Sequence, residues 1–466
     1  MNTATPPLPR ATLSSSERER WAIRSALRIE SHLFPLVVIA YTCLLPRELI
    51  FQIGPIEFDP TRTGAVLMTP FALAILKRRP VKFSPLDILA TFVFTWYLIA
   101  AYTVDGFPNG AIRGLGYASS TALVYLIARV GIRTHEDFRR LLILLLPGLF
   151  LAGLLIFIES ITHTIFVRPL IGELVGRPPP STVDTVRLGL MRGSGPFTHP
   201  ILGGVFLAAL LPVYWAAFGN LPRLRIVGMG VAIFGFFSLS SAAILALAIG
   251  VSAILALKLQ RLTRIPLFLL GGLATAAIVL ALEVVTKYGA LHFLLRNLTL
   301  NAGTARYRTS IWEHATLEVM NHPLFGIGGR DWIRPLWMIR ESVDAYWLFI
   351  AMRYGLPASV GMFLLALCVV VLCVRSAAFL PKSPARDMHV GVAISVSVLV
   401  FSAFTVHLWE GILSLFLILI ASGIALSQVG SELGRIRRRA PVNRPSSALR
   451  AQPRIADASR QGPSPQ

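Results

Sequence analysis

The sequence predicts an all-α polytopic membrane protein of about twelve transmembrane helices with two large extracytoplasmic loops. Three observations carry that prediction. Hydrophobic residues make up 55% of the chain and charged residues 14%, against about 25% charged in a soluble domain. Apolar runs near the ~20 residues that span a ~30 Å hydrocarbon core recur along the chain. Lys and Arg collect in the tails and in every second connection between runs, as the positive-inside bias requires.

In order, residues 1–30 are polar and carry Arg10, Arg18, Arg20, Arg24 and Arg28, so they are expected on the cytoplasmic side. Apolar runs follow at 32–50, 63–76, 84–103, 114–131 and 140–161. After a long loop, 162–198, come runs at 199–217, 225–239, 241–258 and 265–286. A second long loop, 287–344, precedes the last runs at 345–374, 388–407 and 410–428. No small-residue cleavage site follows the first run, which is expected to remain as a signal anchor. The inner connections hold Lys77–Arg79, Arg133 with Arg139–Arg140, Arg223–Arg225, Lys258–Arg264 and Arg375–Lys382, and both termini fall on that side. A break is expected at Tyr354-Gly355-Leu356-Pro357. Residues 431–466 read as a disordered basic cytoplasmic tail, too poor in apolar area to offset the entropy of ordering.

The net charge of +21 does not argue for nucleic acid, because the positive residues sit where topology puts them. Cys43, Cys368 and Cys373 lie in apolar runs without metal-ligand spacing and read as buried small hydrophobes. No His and carboxylate cluster has metal-ligand spacing, and no cofactor motif appears, GxxxxGK[ST] included.

Both long loops lie where Lys and Arg should be depleted, yet both are rich in Arg. The first carries Arg168, Arg177, Arg187 and Arg192; the second Lys287, Arg296, Arg306, Arg308, Arg330, Arg334 and Arg340. Arg pairs bidentately with phosphate oxygens as Lys cannot, so a phosphate-bearing membrane lipid fits this surplus; solvated loop charge is the plainer reading of any one Arg. Asp344 opens the run that re-enters the membrane. Partial burial there would make it a general base, and a helix N-cap explains the position equally well. His199 is either a loop-to-helix junction residue with a backbone partner or a group that bonds substrate. Arg353 lies inside an apolar run, where a charge faces a cavity or a partner such as Glu159 or Glu283. Trp332, Trp337, Tyr346 and Trp347 suit either sugar stacking or an interfacial aromatic belt.

Two stretches, RLGLMRGSGPFTHPI from Arg187 and YRTSIWE…NHPLFGIGGRDW…ESVDAYWLFIAMRYGLP, resemble the O-antigen ligase and exopolysaccharide polymerase family of bacterial envelopes. The resemblance covers about 185–365 by motif and the rest by topology, which makes 31–430 the membrane domain. It implies a metal-independent glycosyltransferase in the bacterial inner membrane that moves a polyprenyl-diphosphate-linked oligosaccharide onto an acceptor glycan at the outer face. Carried over by motif, Arg192 and Arg308 hold the diphosphate, with Arg187 and Arg330 beside them, and Asp344 takes the acceptor proton. His199 and Arg353 are further substrate-binding candidates. Family ligases show His, then Asn or Ser, nine residues, Gly, two residues and Gly. Here the spacing to Gly355 is kept, but Asp344-Ala345 opens the pattern and Ala358 closes it, which resembles the polymerase branch. That branch leaves room for a chain-length-control protein as partner. A ligase, and a flippase for the same lipid-linked glycan, are the alternatives; charge concentrated on the outer side favours chemistry over transport.

Overall fold

The computed structural model describes residues 14–177, 186–263, 302–338 and 341–439, with Ala277 and Leu280. Its helices are α1 (Ser15–Leu27), α2 (Phe34–Thr42), α3 (Pro60–Arg78), α4 (Pro85–Asp105), α5 (Asn109–Gly131), α6 (His135–Thr162), α7 (Val167–Leu174), α8 (Pro200–Ala217), α9 (Pro222–Ile233), α10 (Ser241–Thr263), α11 (Ala302–Asn321), α12 (Tyr346–Tyr354), α13 (Leu356–Phe379), α14 (Pro384–Ser402) and α15 (Glu410–Arg439). Two antiparallel hairpins complete it, β1 (Phe51–Ile53) with β2 (Ile56–Phe58) and β3 (Val186–Arg187) with β4 (Leu190–Met191).

Among the described residues eight helices are long and apolar enough to cross a bilayer: α4, α5, α6, α8, α10, α13, α14 and α15. Among the described residues the architecture is thus overwhelmingly helical, with only the two short hairpins, and multi-pass. The expected run at 32–50 is shorter as a helix, ending at Thr42 before a 3-10 turn at Arg47–Leu49. The run at 225–239 is α9 followed by a 3-10 turn at Phe234–Ser238. The run at 265–286 lies outside the described residues. Two further differences concern polar segments. Part of the second expected loop is helical, as α11, and α15 continues through Arg439 into the tail expected to be disordered.

Local chemistry sets the helix starts. Ser84 and Thr134 close capping boxes with Asp87 and Asp137, satisfying the free N–H groups that open α4 and α6. Helix α13 shows how burial is divided. Val360, Leu364, Leu367, Val371 and Val374 form an exposed apolar stripe at helical spacing, while Met362, Leu365, Ala366 and Val369 are buried. Such a stripe suits lipid and not water. Cys368 lies exposed on α13 and departs from the expectation of burial; Cys43 and Cys373 are buried. At the centre sit α8 and α15, whose spanning windows are each 89% buried.

The end of the bundle that carries the short basic connections is tied by ion pairs. Asp87 accepts from Arg129 Nε at 2.7 Å and Nη2 at 2.9 Å, and from Tyr125 at 2.6 Å. Asp137 faces His32 at 3.2 Å, and Arg140 pairs with Glu30. Glu30, His32 and Asp137 are the one described group close enough to share a metal ion; they lie far along the chain's fold from the cavity described below and are engaged by these pairs.

At the opposite end the expected break occurs at Gly355, whose φ is +85°. It turns the short α12 into α13. A Cβ at this position would collide with the Leu324 carbonyl, so both the backbone angle and the close approach demand glycine. Gly355→Ala is therefore expected to cost ~2 kcal/mol or more. Gly54→Ala, at φ +59° with nothing within 4 Å of the added Cβ, should cost less. Thermal unfolding of the two variants in detergent checks this; equal losses would remove the steric part of the explanation.

Candidate active site

Four residues separate Arg187 from Arg192, and a hairpin brings them to one face. Val186 pairs with Met191 and Arg187 with Leu190 across the turn Leu188-Gly189, where both φ angles are positive, +53° and +76°. Side chains alternate along strands. Arg187, Leu190 and Arg192 therefore project to the same side. Arg187 Nη1 donates to the Leu239 carbonyl at 3.1 Å and Arg192 Nε to the Ser238 carbonyl at 3.5 Å, fixing the hairpin beside the start of α10.

Beneath the hairpin, Glu159 near the end of α6 has no solvent exposure. Its carboxylate accepts from the backbone N–H groups of Ser194 at 2.9 Å and Gly195 at 2.7 Å, and of Phe166 and Val167 at 3.3 Å each. One side chain thus holds both ends of the first long loop. The glycines allow the loop to lie directly on α6, since a Cβ at Gly193 would strike the Ile156 carbonyl.

Opposite stands Arg308 on α11, 6% exposed, with its Nε buried and without a hydrogen-bond partner. The Trp312 indole on the same helix donates to the Phe404 carbonyl at 3.3 Å. Asp344 precedes α12, whose N-cap is Ala345. The Tyr346 N–H goes to the carbonyls of Ala403 at 2.8 Å and Val406 at 3.2 Å, so this entry is set against the α14–α15 turn rather than capped by Asp344.

These pieces enclose a cavity of about 500 Å³ lined by Arg187, Arg192, His199, Ser240, Ser241, Tyr307, Arg308, Ser342, Asp344, Thr405, His407 and Trp409, among others. Among the described residues three guanidinium groups share it with one carboxylate. Burial, then the charges of Arg187 and Arg308, push the Arg192 guanidinium down to about 10. Arg308 is likewise lowered by burial, opposed by the charge of Asp344 and reinforced by that of Arg187. Crowded, partly desolvated cations of this kind favour an arriving anion.

Five of the seven sequence candidates line the cavity: Asp344, Arg192, Arg308, Arg187 and His199. Arg330 and Arg353 do not. Arg353 donates to the Gly328 carbonyl at 2.9 Å and to that of Arg330, and Arg330 donates to the Val104 carbonyl at 3.2 Å. Both lock the 326–330 turn onto α12 and the end of α4, which answers the cost of Arg353 within an apolar run. Of its expected partners, Glu159 is committed to backbone groups, and Glu283 lies outside the described residues. Arg168 is also committed elsewhere, to Glu48 at 2.7 Å and the Thr198 carbonyl at 2.7 Å. Trp332, Tyr346 and Trp347 are buried in packing, not presented to a ligand. Sequence reasoning passed over His407 and Trp409; as polar and aromatic residues in the turn between the last two runs, they could have been found from topology.

Two outcomes follow from this geometry. Glu159→Ala strands four N–H groups, each costing ~1–3 kcal/mol when buried without an acceptor. It should lower thermal stability in detergent well beyond Arg192→Ala, and comparable melting temperatures would refute the anchoring role. For His407, burial and then the Arg353 charge hold the imidazole neutral, pushed down to about 3. A ring with lower proton affinity when folded than the ordinary ~6.5 contributes stability above that pH and loses it as pH falls from there towards 3. His407→Gln should therefore flatten the acid side of a stability profile between pH 7 and 4.5, by about 1–2 kcal/mol at the lower end; parallel profiles would exclude the effect.

With this geometry in place, comparison with known sequences adds a family. A search of curated proteins finds no match. The family described as O-antigen ligase matches residues 226–363, a stretch that contains Arg308, Arg330, Asp344 and Arg353 but not the Arg187–His199 segment. Members of that family are glycosyltransferase-like enzymes acting on lipid-linked glycans. Residues 226–363 are thus similar to the O-antigen ligase family, which makes that family the one this stretch of the chain resembles.

Proposed function

We propose that the protein is a bacterial inner-membrane glycosyltransferase that polymerises or transfers polyprenyl-diphosphate-linked oligosaccharide repeat units at the outer face. The observation that carries this reading is the gathering of Arg187, Arg192, Arg308 and Asp344 around one cavity at one end of the helical bundle. Basic residues such as Arg133 and Arg140 sit at the other end of α5 and α6, which supports a cytoplasmic assignment there and an outer one for the cavity. Both termini are then cytoplasmic.

In this reading the acceptor hydroxyl attacks the anomeric carbon from the side opposite the diphosphate. The bond from that carbon to the phosphate oxygen breaks, and its electron pair leaves with the diphosphate. Arg192 and Arg308 stabilise the charge that develops there, the task a metal performs elsewhere. Asp344 accepts the hydroxyl proton. Asp344 is half-buried, and its charge acts on Arg308 across the cavity. Asp344 in place of the family ligases' His leans towards a polymerase, with a growing glycan as acceptor and a chain-length-control protein as a partner to look for.

Product analysis tests the proposal. Protein supplied with a polyprenyl-diphosphate oligosaccharide is expected to yield a ladder of repeat-unit multiples. Arg192→Ala and Arg308→Ala should each lower kcat/KM by about 10²–10³-fold, and Asp344→Asn by about 10²–10⁴-fold. A single transfer to a distinct acceptor would make it a ligase. Translocation of intact lipid-linked glycan without a covalent product would refute the enzyme reading.

A further inference from the structure

His199 stands at the junction of the first long loop and α8, and it also lines the cavity with the three arginines. The two facts are linked through the two nitrogens of one ring. Nδ1 accepts the backbone N–H of Ile201 at 3.2 Å, which makes His199 the N-cap of α8. A ring nitrogen that accepts a hydrogen bond carries no proton, so the neutral imidazole holds its proton on Nε2. Protonating the ring would leave Nε2–H unchanged. The cap thereby excludes proton abstraction by Nε2 and makes that nitrogen a donor.

The rest of the helix start cannot supply this donor. Pro200 has no N–H, Ile201 is spent on the ring, and the N–H groups of Leu202 and Gly203 reach back to the His199 carbonyl at 3.0 and 3.4 Å. What α8 offers to the cavity is therefore the imidazole, together with the partial positive charge of its N-terminus.

We propose that His199 is a catalytic hydrogen-bond donor to the diphosphate of the lipid-linked donor, acting with Arg192 and Arg308 on the leaving group and not as the base. The assignment rests on the glycosyltransferase reading above. No proton is transferred by His199 in the step: the acceptor proton goes to Asp344, and the Nε2–H bond shortens onto the phosphate oxygen as the glycosidic bond breaks. Two chemically distinct walls result, one of donors for the diphosphate and one with Asp344 for the acceptor.

The test uses full-length protein in detergent with undecaprenyl diphosphate, the leaving group without sugar, and undecaprenol as the phosphate-free control. His199→Ser keeps a good N-cap but cannot reach the cavity; Arg192→Ala is the reference. His199→Ser is expected to retain the wild-type melting temperature and to bind undecaprenyl diphosphate about 10–100-fold more weakly, with undecaprenol binding unchanged. Wild-type affinity for the diphosphate in His199→Ser, with Arg192→Ala weakened, would overturn the His199 assignment alone. Equal weakening for both lipids would mark a structural role and overturn it as well. Absence of diphosphate binding by the wild type, or indifference to Arg192→Ala, would overturn the reading beneath it.

Discussion

A buried carboxylate, Glu159, is the interaction on which the site depends. An acid near the end of an apolar helix is costly unless its oxygens are satisfied. Here four backbone N–H groups, from two segments far apart in the loop, converge on it. That convergence fixes where the chain leaves α6 and where it returns. The Arg187–Leu190 hairpin, Arg192 and the His199 cap of α8 all hang from the returning strand, so their mutual geometry follows from one side chain that touches none of the chemistry.

The arginines of the two loops divide into two kinds once their acceptors are known. Arg168 and Arg353 spend their donors on a carboxylate or backbone carbonyls and hold turns together. Arg308 keeps a buried nitrogen without a partner, and Arg187 and Arg192 each make a hydrogen bond to a carbonyl of the turn before α10 while lining the same cavity. Like charges brought this close destabilise one another, and among the described lining residues Asp344 is the one carboxylate set against three of them. A multiply charged anionic ligand is the natural complement, as the proposed lipid diphosphate would be.

Periodicity and charge were sufficient for the class of fold, because a bilayer imposes length and polarity on each helix separately. The stripes of α13 and the basic connections are local properties, and they appear in the sequence as they do in the structure. Helix boundaries at the rim were less readable. The expected loop at 287–344 contains α11, and α15 runs past the expected start of the tail; polar helices at an aqueous surface lack the apolar signal on which the reading relied. Cys368 was misplaced for a related reason, since an apolar run does not reveal which of its faces meets lipid.

By itself the sequence determined that this chain crosses a membrane many times, that its arginines are concentrated in two loops, and that two stretches resemble one family of glycan enzymes. Those are facts of composition and order along the chain. Only the tertiary structure decided which arginines share a cavity and which serve as struts, that His199 is both cap and cavity residue, and that His407 and Trp409 belong beside them. The physical reason is that a site of this kind is assembled from five separated segments, whose proximity is set by backbone hydrogen bonds donated to Glu159 and by those of the Tyr346 N–H across long stretches of chain. No local pattern encodes such distances.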